Sequence, residues 1–441
     1  MTHQLTRRQF GAITTGLGAT LLLAACGTSA TPTSAQKASA GDKFKKASLT
    51  FAFWGNPVRN AYTDQIIKNY EKAHPTITVA QQPGEWATYW TKLSTQVAGG
   101  TAPDIIQMDQ AYIAEYGGRG ALADLSTIES IDTKPLKSTL DEGRLNGKLY
   151  GIPTGNNAYA VCVNKTLFEK AGVEVPDDKT WTWDDYLDTA HKLTQGSGGA
   201  FRGTNWFGAD QELKIWLYQR GEDLYTKDGK LGASVDNLTE FFAFVQKLFT
   251  SGDGPTNDGY ATDIAAAVEQ TLFGTNKVAM CWMWSNQITA YQKANGGDCA
   301  LLRPPSKAGS ADKNGVYYKA SMYWSISSRS KAPAQAGGLV NEFLNSTSAA
   351  ALQLAERGVP ANPDVLAVVK PKLSATDQLA VDYMDAIKDE ITNVPPVPPK
   401  GTSTVGTVAQ RHEQDVIFGR ATPVAAAKAF KSEVEGLIAS A

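Results

Sequence analysis

Two stretches of this 441-residue chain end apolar runs on residues suited to holding a polyhydroxyl ligand. Trp54-Gly55-Asn56 follows the run Leu49 to Phe53, and Asp109-Gln110, with Tyr112 just beyond, follows Ile105 to Met108. A tryptophan face matches the C–H face of a pyranose, while Asp and Asn bond neighbouring hydroxyls. Ligands of open α/β sheets bind beyond the carboxyl ends of strands, where Trp54, Asn56, Asp109 and Tyr112 fall. A helix start beside Asn56 adds unpaired N–H donors. Similar clusters recur at Asn156-Asn157, at Asn205-Trp206-Phe207 with Asp210, at Trp282 and Trp284, and at Tyr323-Trp324. For each single aromatic, core packing competes with ligand contact; the cluster as a whole is the signal. Trp181 and Trp183 flank a helix start and read as structural. Glu85, with Asp109 and Asp210, leaves open a cationic ligand stacked on rings.

Other chemistries leave no signature. HExxH, GxSxG and the phosphate-cradling GxxxxGK motif are absent, and the four histidines include no pair at a metal-ligand spacing. No cofactor and no metal are therefore expected. Gly16-Leu17-Gly18 lacks the third glycine and the preceding strand of a dinucleotide site. Asp253 to Asp258 lacks the alternation and closing glutamate of a calcium loop and reads as a turn. Glycoside hydrolysis needs two carboxylates facing across a cleft, and nothing singles out a pair among the 44 acids. Forty-two basic residues against those acids give a net charge of −2, which offers no footprint for nucleic acid. Four cysteines without a CxxC exclude thioredoxin-type redox chemistry.

The elements that must position these residues follow from the pattern. Leu49–Phe53, the ITVAQQ run, Asp104–Met108, Ala158–Val163, Lys277–Met283 and Met322–Ser327 read as strands. Between them lie helical stretches: Pro57 onward with Asn56 as cap, Glu85–Val97, Trp181–Leu193, and the stripe Leu238, Phe241, Phe242, Val245, Leu248, Phe249. LYTKDGKL reads as a hairpin turning at Asp228-Gly229, and a last helix starts at Thr422-Pro423. Strands alternating with helices predict an α/β fold on a parallel sheet.

The N-terminus reads as an address. Arg7 and Arg8 precede a weakly apolar stretch to Ala25, too short and glycine-rich to span a bilayer. TRRQF resembles a twin-arginine export signal. Leu23-Ala24-Ala25-Cys26 is similar to a lipobox, in which the cysteine sulfur is lipidated, with palmitate among the acyl chains, and becomes the new N-terminus. Residues 1–25 are then a signal peptide, and 26–47 a Ser/Thr/Ala/Lys tether too poor in apolar residues to order itself.

Several ordered motifs resemble the extracellular solute-binding proteins of ABC importers, family 1, the carbohydrate-binding branch that includes maltose-binding proteins. They are GGTAPDIIQMD (99–109), GKLYGIPTGNNAYAVCVNKTLFEKAG (147–172), TWTWDDY, FGTNKVAM, the RPP of 303–305, RGVPANP (357–363) and FGRATPVAAAKA. The resemblance implies a periplasmic-binding-protein-like fold of two α/β lobes closing about a hinge on a ligand. Lobe 1 would take 48–157 and 300–345, and lobe 2 would take 158–299 and 346–441. It implies a monomeric receptor, not an enzyme, anchored outside the cell membrane through Cys26. It would capture a mono- or oligosaccharide and pass it to ABC permease subunits. After FGTNKVAM the family shows a glycine and then a stacking tryptophan. Here the run is CWMWSN, so Trp282 or Trp284 supplies the platform, and Asn286 stands at the usual tryptophan position. Arg357 joins the candidate ligand contacts through RGVPANP. Two alternatives remain: a receptor for a polyamine, phosphate ester or peptide, and a secreted carbohydrate-active enzyme. Cys281 and Cys299 could pair in an oxidising exterior, leaving Cys162 free.

Overall fold

A computed structural model describes residues 38–441 except 137–138, 209 and 393–394. The expected signal peptide over residues 1–25 and the lipidation site Cys26 lie outside the described residues. The strands are β1 (Ala47–Trp54), β2 (Ile77–Gly84), β3 (Ile105–Met108), β4 (Arg144–Leu145), β5 (Lys148–Leu149) and β6 (Ile152–Asn164). They continue with β7 (Arg202–Thr204), β8 (Val278–Trp284), β9 (Cys299–Leu302), β10 (Tyr318–Ile326) and β11 (Val359–Pro360). One sheet runs β2-β1-β3-β10-β6-β8-β7, with β9 and β11 also paired to β6, while β4 and β5 form a separate hairpin.

The expected parallel sheet is in fact mixed. β1 is parallel to β2 and β3, and β7 to β8. β10 and β6 run antiparallel to their neighbours. The reason is the length of β6: Ile152–Ala158 pair with β10 and Tyr159–Val163 pair with β8, so one strand serves both ends of the sheet. Nearly every residue of β6 is buried, as a strand covered on both faces requires.

Helix starts follow the sequence signals. Asn56 caps Pro57–Ala73, Thr182 and Asp185 form a capping box on Trp183–Gly196, and Thr422 caps Pro423–Ala439. The stripe on Val235–Thr250 is core: Phe241, Phe242 and Leu248 pack with Val161, Trp206, Trp282 and Phe430. A separate apolar cluster gathers Phe51, Ile66, Ile105, Trp324 and Phe343. The helix Val405–Ile417 contributes Val408 and Val416 to the first of these.

Three expectations change. The flexible tether does not extend to residue 47. Ala38 bridges Ile128, and Phe44 stacks on His74 with ring centres 4.0 Å apart, so the one aromatic of that stretch finds a partner. Residues 300–302 and 347–353 keep company other than that assigned to them: Ala300–Leu302 pair with β6 at Val161–Val163, and Thr347–Gln353 packs against Pro57–Ala73. No disulfide joins Cys281 to Cys299. Cys162, Cys281 and Cys299 are all free and buried, with Cys162 and Cys281 opposite one another on β6 and β8. Among the described residues no helix is long and apolar enough to cross a membrane.

Candidate functional site

A cavity of about 600 Å³ opens beyond the C-terminal ends of β1, β3 and β8. Trp54 is the last residue of β1, Asp109 directly follows β3, and Trp284 ends β8. The strand-end rule therefore holds in this mixed sheet: β1 and β3 run parallel, β8 runs the opposite way, and their carboxyl ends meet at the cavity from two sides.

One wall is aromatic. Trp86, the first residue of the helix Trp86–Ala98, lines the cavity with 47% of its surface exposed. Trp54 packs edge-on against it at 5.0 Å, and behind them Trp90 stacks on Tyr112 at 3.6 Å and 11°. The half-buried Trp284 lines the cavity as a further ring.

The charged lining is arranged in pairs. Asp109 caps the helix Gln110–Gly118: its Oδ1 accepts the Ala111 N–H at 3.0 Å, and its Oδ2 accepts from Lys319 Nζ at 2.9 Å. The Lys319 ammonium also lies 5.1 Å from the Trp284 ring centre. Asp210 opens the helix Asp210–Tyr218 and pairs one turn on with Lys214 at 2.6 Å. Burial pushes the Asp210 carboxyl up, but Lys214 and then Lys319 outweigh it and hold the group below the usual carboxylate range. Arg59 donates to Glu356 at 2.7 Å and to the carbonyl of Glu356 at 3.2 Å. Beside β10, Glu142 accepts the Ala320 N–H at 2.8 Å. Burial pushes its carboxyl up to about 7, against the opposing pull of that N–H and of Lys319.

Of the residues singled out in the sequence, Trp54, Asp109, Tyr112, Asn157, Asp210 and Trp284 come together around the cavity. Asn157 is 5% exposed, and its Oδ1 has no hydrogen-bond partner. The others are not among the lining residues. Asn56 is spent on the Arg59 N–H and on Glu356, so that helix start offers no free cap. Glu85 is exposed and makes no side-chain cap bond. Asn156 precedes Asn157 on β6, and alternation turns it to the other face. Trp206 is fully buried and donates to Glu413 at 3.0 Å. Trp282 is equally buried and donates to Tyr186 at 2.9 Å, which leaves Trp284 as the platform candidate. Tyr323 donates to the Glu142 carbonyl at 3.1 Å. Arg357 is buried among Trp324, Tyr62, Phe53 and Phe343, bonding Gln107 at 3.3 Å and Thr63 at 3.0 Å.

Trp86, Lys214 and Lys319 line the cavity without having been singled out. Trp86 carried a readable signal, since it stands two residues beyond the end of a strand at Gly84, where a helix begins. Lys319 carried none: it sits inside β10, and only the pairing of β10 with β3 brings it to Asp109.

A sheet bearing an aromatic, ion-paired cavity beyond its strand ends is the build of a protein that holds a solute. The chain belongs to the family described as bacterial extracellular solute-binding protein, whose model matches residues 65–382. A solved extracellular solute-binding protein family 1 from Alicyclobacillus acidocaldarius is 30% identical, with a TM-score of 0.66, over 89% of this chain and 99% of that one. A putative binding protein of Brucella abortus is 29% identical over 227 residues, 50% of this chain and 53% of its own. The arabinooligosaccharide-binding protein of Bacillus subtilis is 28% identical over 236 residues, 52% of this chain and 51% of its own. The chain thus spans about half the length of the curated relatives it matches.

Proposed function

We propose that this chain is the sugar-capturing receptor of an ABC importer. It binds a mono- or oligosaccharide in the cavity, closes on it by relative movement of two lobes, and hands it to the permease without making or breaking a bond. The lobes follow the division expected from the sequence, except that residues 300–317 go with the second lobe and 347–369 with the first. Export through a twin-arginine signal and a lipid on Cys26 would keep the receptor, as a monomer, at the outer face of the cell membrane.

The observation that carries this reading is Asn157. A buried amide oxygen without a partner is costly, and the residue that carries this one lines a cavity that also presents the Trp86 ring. A sugar hydroxyl satisfies the first while its C–H face covers the second. The binding of arabinooligosaccharide by the Bacillus relative supports the saccharide class. A hydrolytic alternative needs a protonated acid facing the substrate. Asp210, in the cavity, is held low, and the raised Glu142 is not among the lining residues. A thermal-shift screen of sugars, peptides and polyamines tests the reading: a rise in Tm with sugars alone supports it, and a rise only with another class rejects it.

A further inference from the structure

The cavity has no unmatched charge among its described lining side chains. Asp109 is paired with Lys319, Asp210 with Lys214, and Arg59 with Glu356. These groups are largely out of solvent: the Lys214 side chain is 8% exposed and that of Asp109 9%. Lys319 stands at the centre of the arrangement, bonded to Asp109 and acting on both Asp210 and Glu142.

Resting on the saccharide reading, we propose that the cavity selects uncharged sugars, and that the Asp109–Lys319 and Asp210–Lys214 pairs impose the selection. A uronate carboxylate can engage a lysine only by drawing it from its aspartate, which then stays behind in a poorly solvated site. An amino sugar faces the converse problem. Removing one partner of a buried pair is costly because the other is left uncompensated. A neutral hydroxyl asks for neither exchange. Each lysine has three N–H donors and gives one to its aspartate, and each carboxylate keeps lone pairs beyond those already used. The pairs therefore present donors and acceptors side by side, which is what adjacent sugar hydroxyls require. The same matching disfavours polyamines and phosphate esters.

The test is calorimetry of the folded chain with maltotriose, arabinotriose and xylotriose against trigalacturonate and the glucosamine trimer, in mildly acidic buffer. The proposal expects at least one neutral sugar to bind about ten-fold or more tighter than both charged trimers. A charged trimer within that margin, or tighter, overturns the selection while leaving the saccharide reading in place. If no saccharide of any charge binds, the saccharide reading falls and this inference with it. Asp109→Asn, which frees Lys319, then gains on trigalacturonate relative to neutral sugars by about ten-fold. Lys214→Met, which frees Asp210, gains likewise on the glucosamine trimer. Circular dichroism establishes that each variant is folded. Unchanged selectivity in both folded variants shows that the pairs are not its source and overturns the proposal.

Discussion

Lys319 Nζ donates to Asp109 Oδ2 at 2.9 Å while lying 5.1 Å from the centre of the Trp284 ring. A lysine inside β10 thereby joins the residue that follows β3 to the residue that ends β8. Replacing it tests the pair. Lys319→Met leaves the Asp109 carboxylate without its cation, while Lys319→Met combined with Asp109→Asn removes the orphan charge. Thermal melts are expected to show the single variant less stable than the double by about 1 kcal/mol or more. A double variant as unstable as the sum of the two singles would mean the ions do not interact.

Two of the three cavity tryptophans, Trp54 and Trp86, differ in what else they do. Trp54 is 8% exposed and packs among Trp86, Tyr89 and Trp90, so Trp54→Ala leaves a void and costs about 3 kcal/mol. Trp86 is 47% exposed, and Trp86→Ala is expected to leave Tm nearly unchanged while weakening sugar binding about ten-fold or more. Melting curves read beside titrations separate the two. Equal losses of stability would show that Trp86 is packing, not platform.

Glu142 gives the fold a pH dependence whose sign follows from burial. Its carboxyl is raised to about 7, from 4.5 for an exposed glutamate, so the folded chain holds a proton that the unfolded chain has released. That contribution is complete below pH 4.5 and is lost as pH rises through 7. Discounted for its half-buried position, it amounts to roughly 2 kcal/mol. Glu142→Gln, which keeps the acceptor for the Ala320 N–H, should flatten this part of the Tm-versus-pH curve. A variant curve parallel to the parent's would assign the slope elsewhere.

Gly208 has φ of 57°, and a Cβ there would run into the Glu413 carboxylate and the Tyr260 hydroxyl. Those groups, with Trp206, tie the helix Val405–Ile417 to the core. Gly208→Ala is therefore expected to cost at least about 1 kcal/mol in denaturant unfolding. A neutral result would mean that this loop relaxes freely.

Much of the fold was legible because its signals are local. Asn56-Pro57, Thr182 with Asp185, and Thr422-Pro423 each announce a helix start through the hydrogen bond or fixed φ that the residue supplies. The direction of β6 and β10 was not legible, since antiparallel pairing depends on how distant segments meet. The site divides in the same way. Trp54, Asp109 and Trp284 are marked by standing at strand ends. Trp206 and Trp282 look equally suited by composition, yet their indole N–H groups are spent on Glu413 and Tyr186 inside the core. Lys319 acquires its role only when β10 lies beside β3.

The proposed function requires that a sugar sit in the cavity lined by the Trp86 ring and Asn157. Isothermal titration calorimetry of the parent chain and of Trp86→Ala, against the same neutral oligosaccharides, measures this most directly. Saturable one-to-one binding at about 1 μM is expected for at least one sugar, weakened about ten-fold or more in the variant. Sugar heats that are absent from the parent, or identical in the variant, would contradict it.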